Sequence, residues 1–70
     1  MSSQLITVSP EIMGGTPVFK GTRVPIEFLF EHIEAGETLN DFLDGYPSVT
    51  REHAIAVLEA AKAQLLTRTA

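Results

Sequence analysis

Helical periodicity of the apolar residues begins only at residue 26, and from there it repeats in three stretches. Ile26, Leu29, Phe30 and Ile33 form one stripe, with Glu27, Glu31 and Glu34 on the outside. Leu39, Phe42, Leu43 and Tyr46 repeat at i, i+3, i+4 and i+7. Ala54, Ile55, Leu58, Ala61 and Leu65 make a third stripe, which Val57 and Ala60 widen beyond what a three-helix monomer needs. The stops agree with this reading. Pro25 suits a first helical turn, where its missing donor costs nothing, and Ala35-Gly36 is a favoured end. Thr38 with Asp41 three residues on resembles a capping box, Gly45 and Pro47 end the second helix, and Thr50 or Ser48 opens a third running to about Arg68. Upstream, Gln4–Val8 reads as a short edge strand that stops at Ser9-Pro10. After a turn at Gly14-Gly15, residues 16–20 and 22–24 are extended pieces hinged at Gly21, a small ribbon or hairpin.

The expected fold is therefore mainly α: a short N-terminal strand and hairpin over residues 1–24, then a three-helix bundle over 25–68, all in a single domain. The short link through Gly45, Tyr46, Pro47 and Ser48 gives helices two and three a helix-turn-helix outline. The alanines at 54, 56, 60, 61 and 63 reflect either helix propensity or a face that a second helix approaches closely.

Seventy residues bury only about 60% of the surface of their unfolded chain. Cysteine is absent, which removes disulfides and thiolate metal sites, and two histidines are too few to hold a metal alone. A partner chain is the remaining support, so a homodimer or hetero-complex is expected, with the residue 5–8 strand pairing across a two-fold axis. The first residues form neither a signal peptide nor a membrane span, which predicts a cytoplasmic protein. The net charge of −4 is unevenly spread. Residues 1–25 and 47–70 each carry +1, whereas residues 26–46 carry Glu27, Glu31, Glu34, Glu37, Asp41 and Asp44 with no Lys or Arg, net −6.

Catalytic chemistry is not in view. Lys20-Gly21-Thr22 inverts the order a phosphate loop needs. Glu31 and His32 are adjacent and diverge around a helix, so they make a poor metal pair. His53, third after Thr50, sits where a histidine packs or caps, and no Ser or Cys nucleophile accompanies either histidine. The expectation is a binding protein, not an enzyme, with no cofactor and no small-molecule substrate. Lys20 and Arg23 flank a turn beside a helix start and suit phosphate oxygens, unless Arg23 pairs with a glutamate of the first helix. Arg51 stands where a recognition helix meets DNA, although Glu52 beside it repels phosphate.

The run Ile12-x-Gly14-Gly15-x-Pro17-Val18-Phe19-Lys20-Gly21-Thr22-Arg23-Val24-Pro25 resembles the signature of the domain-of-unknown-function family 433. Ala35-Gly36-Glu37-Thr38-Leu39, Tyr46-Pro47 and Val49-Thr50 continue the likeness, so it covers nearly the whole chain. The resemblance implies a homeodomain-like helix-turn-helix and an antitoxin role of the VapB type, beside a PIN-like ribonuclease toxin. By that resemblance the chain binds and silences a nuclease and represses its own promoter. Lys20, Arg23 and Arg51 are the candidates for duplex DNA; Glu27, Glu31, Glu34, Val57 and Ala60 are the candidates for the protein partner. The chain departs from a typical antitoxin in having no long disordered tail.

Overall fold

The computed structural model describes residues 4–68. Three helices follow a two-stranded antiparallel hairpin: β1 (Ile6–Thr7), β2 (Val18–Phe19), α1 (Ile26–Glu34), α2 (Leu39–Gly45) and α3 (Arg51–Arg68). Ile6 pairs with Phe19 and Thr7 with Val18. The expected Gln4–Val8 strand is thus shortened to two residues, and its partner is β2. The pieces on either side of Gly21 pair as the expected small ribbon, with Val18 bridged antiparallel to Pro25. A tight turn closes it, with Phe19 N–H donating to the Val24 carbonyl (2.9 Å) and Thr22 N–H to the Phe19 carbonyl (2.9 Å). Gly21 has φ 84°, the left-handed value that the third position of such a turn needs. Thr22 locks it: its hydroxyl donates to the Phe19 carbonyl (2.8 Å) and accepts from Val24 N–H (3.0 Å). Gly-Thr is therefore required here by backbone geometry.

Pro25, extended at φ −62° and ψ 139°, is the N-cap of α1, one position before the expected first turn. Ile26 N–H donates to the Pro17 carbonyl (3.0 Å), which ties the helix start to β2. At the other end Gly36, with φ 88°, lets its N–H reach the Ile33 carbonyl (3.0 Å). Glu37 N–H reaches His32 (3.0 Å), completing a Schellman motif. The capping box of α2 forms as expected. Asp41 N–H donates to the Thr38 hydroxyl (3.1 Å) and Thr38 N–H to the Asp41 carboxylate (3.0 Å). Of the two expected openings for α3, Thr50 is the one used, since its hydroxyl accepts from His53 N–H (3.1 Å).

β2 and the three helices build one small core: Phe19 from β2, Leu29 from α1, Phe42 from α2, Val49 from the following turn, and Ala54 and Val57 from α3. Aromatic rings join these pieces. Phe19 lies 5.9 Å from Phe42, which lies 5.0 Å from Tyr46, and the His32 ring meets Phe42 edge-on at 5.5 Å. On the other side of Phe19 the His53 ring stands edge-on at 5.2 Å. His53 Nε2 also donates to the Leu5 carbonyl (2.8 Å), which accepts Lys20 N–H as well (3.0 Å). The carbonyl can only accept, so the tautomer carries its proton on Nε2. One side chain thus fastens the start of the chain to α3. No helix among the described residues is long and apolar enough to cross a membrane.

Two outcomes follow from these contacts. Thr38→Ala removes the α2 cap and lowers unfolding free energy by roughly 1 kcal/mol in urea titration. The Asp41 carboxyl is held below its ordinary value of 3.8 by the Thr38 N–H first, then by the Thr38 hydroxyl, with His32 adding a smaller charge effect. Its stabilisation is therefore complete at neutral pH and fades as pH falls below 3.8 toward the lowered value. The stability gap between wild type and Asp41→Asn should close over that acid range. Secondly, His53→Ala, which leaves one acceptor bond unmade, loses about 1–3 kcal/mol. It should also raise amide exchange at Lys20 before α1 and α2 are affected.

Candidate functional site

α1 presents two chemically opposite faces. Leu29 is buried, and Ile26 and Phe30 are half-buried toward the hairpin and α3. Glu27, Glu31 and Glu34 are exposed, and among the described residues none of them meets a cation. The acid continues through α2, where Asp44 is also exposed and without an ion pair among the described residues. Asp41 is engaged in its cap, and Glu37 lies against His32 Nδ1. Among the described residues, four carboxylates of the middle third therefore stand in solvent without an ion pair.

The candidate cations lie elsewhere. Lys20 and Arg23 are exposed on the 19–24 turn, and Arg23 makes no pair with a glutamate of α1 among the described residues. Because Lys20 N–H and His53 share the Leu5 carbonyl, this turn abuts the first turn of α3. Arg51 begins that turn, and its guanidinium donates to the Asn40 side chain of α2. The exposed positions that follow on α3 are Glu52, Ile55 and Glu59, and the next cation, Lys62, is 3.1 Å from Glu59. A helix lying in a DNA groove on this face would bring two carboxylates toward phosphate.

An apolar groove runs between the hairpin, α1 and α3. One cavity of about 250 Å³ is lined by Ile6, Thr16, Pro17, Ile26, Glu27 and Phe30. A second, of about 210 Å³, shares Ile6, Ile26 and Phe30 and extends along Val57, Ala60, Ala61 and Gln64. The partner candidates fall around it unequally. Val57 is 3% exposed and belongs to the core, forming the groove floor, whereas Ala60 is exposed on its wall and Glu27 on its rim. Glu31 and Glu34 do not line it. Sequence periodicity placed the glutamates but not this groove, because its lining comes from four separate segments. Ile6 and Pro17, in particular, carry no local signal of it. No three His, Asp or Glu side chains converge as a metal site among the described residues.

Known proteins share this framework. A protein of Sinorhizobium fredii, described as uncharacterized protein y4eO, is 41% identical over 49 residues. That match covers 70% of this chain and 22% of the relative, so the chain spans about a fifth of the relative's length. The crystal structure of a DUF433 member from Anabaena variabilis superposes with a TM-score of 0.72 at 23% identity. It covers 91% of this chain and 63% of the other, and it shows a common fold. Residues 6–60, from β1 through the first ten residues of α3, match the family described as protein of unknown function (DUF433), and the chain belongs to that family.

Proposed function

We propose that the chain is an antitoxin-like binding protein that docks on a PIN-type ribonuclease and keeps RNA from it. The observation that supports this reading best is the uncompensated acid of Glu27, Glu31, Glu34 and Asp44. A ribonuclease draws RNA with a cationic cleft, and a rigid acidic helix competes for the same field. Tied at its start by the Ile26 bond to Pro17 and closed at its end by the Gly36 turn, α1 can offer its charges without first ordering them. Such a protein acts in the cytoplasm, without a cofactor or a reaction of its own.

A second reading, promoter binding, rests on the proximity of the Lys20–Arg23 turn to the start of α3. It is the weaker of the two on charge, since Glu52 and Glu59 occupy the exposed face of that helix.

Co-expression with a PIN-type nuclease encoded beside it tests the first reading. The expected result is a stable mixed complex. Reversing Glu27, Glu31 and Glu34 to lysine should slow association by roughly tenfold or more at low salt, and the difference should shrink as salt rises. Absence of a complex at low salt would overturn the reading. For the second, duplex titration should give an affinity that falls steeply with salt and weakens in a Lys20→Ala, Arg23→Ala double variant. Undetectable binding in low salt removes it.

A further inference from the structure

α3 is longer than the body it packs on. Its 18 residues span about 27 Å. Ala54 and Val57 are buried, Leu58 and Ala61 are half-buried, and residues 62–67 are all exposed. Leu65 continues the same stripe, since Ala54, Val57, Leu58, Ala61 and Leu65 are spaced by three and four, yet it is 66% exposed. The core-facing side of the helix thus overhangs the bundle by about two turns. Next to the overhang lies the apolar groove over Ile6, Ile26, Phe30 and Val57, also open. The chain therefore carries an unfilled groove and an apolar projection on the same side of one helix.

We infer that the groove is filled by the α3 overhang of a second copy, in an antiparallel two-fold pair that crosses at Ala61. The register follows from the positions. With Ala61 on the axis, Leu65 of one copy lies opposite Val57 of the other, four residues to either side. That sets the exposed leucine over the groove floor, and symmetry repeats the exchange. The small side chains of Ala60 and Ala61 at the crossing let the two helices approach closely. Charge agrees, because residues 61–67 hold Lys62 and no acid, while Glu27 stands at the groove rim. This pairing uses α3 in place of the edge strand that sequence alone suggested. It does not depend on the nuclease reading.

The chain has no cysteine, so single-cysteine variants report the register cleanly. Light scattering on wild type should give twice the 7.6 kDa chain mass. Leu65→Glu should give the chain mass with unchanged helical circular dichroism, and Leu65→Met should stay dimeric. Under mild oxidation Ala61→Cys should form a linked dimer rapidly, and Ile55→Cys, on another face of α3, should not. A monomeric wild type overturns the inference, as does a dimer that survives Leu65→Glu or in which the two cysteine variants cross-link equally. A monomer that still captures the nuclease would overturn the pairing and leave the binding reading standing.

Discussion

Phe19 is the residue on which the rest of the structure depends. Its backbone is committed on both sides, through the amide to Val24 and through the carbonyl to Thr22. Its fully buried ring lies between Phe42 of α2 and the His53 ring of α3. A chain of this size with no cysteine has few such side chains at its disposal. The consequence is that the Gly21-Thr22 turn, β2 and the first turn of α3 hold one another in place. The exposed charges of Lys20, Arg23 and Arg51 take their positions from that junction.

Much of this was legible in the sequence where the signal is local. Pro25, Gly36, the Thr38–Asp41 pair and Thr50 mark helix ends because each meets a backbone need within a few residues. The solvent positions of Glu27, Glu31 and Glu34 follow from periodicity alone. Long-range features left no such trace. His53 reads locally as a capping or packing residue, and its bond to Leu5 spans 48 positions. Nothing near Arg51 in sequence announces that its guanidinium reaches Asn40, 11 positions away. Met13 adopts φ 52° ahead of two glycines that also have positive φ, a conformation no side-chain pattern predicts for methionine. Stripe width points Val57 at a partner surface, whereas the core needs it, since the helices of so small a bundle meet over few residues.

The distribution of chemistry over the fold has a simple logic. α1 and α2 are short and densely acidic, whereas α3 is long, carries charges of both signs and keeps Leu65 exposed past the end of the bundle. Family membership is shared with chains that are longer than this one, in which the same framework is one part of a larger protein.

The double use of the Leu5 carbonyl has a kinetic side. A contact between residues 5 and 53 closes a loop that contains both α1 and α2, so it is entropically the last to form and the first to be lost. β1 is two residues long, so residues 5–7 are held chiefly by their pairing with β2 and by the two bonds to the Leu5 carbonyl. Ile6 is one of them, and Ile6 is shared by both halves of the groove. The wall of the groove is therefore set by the docking of residues 5–7, which hangs on a bond made 48 positions away.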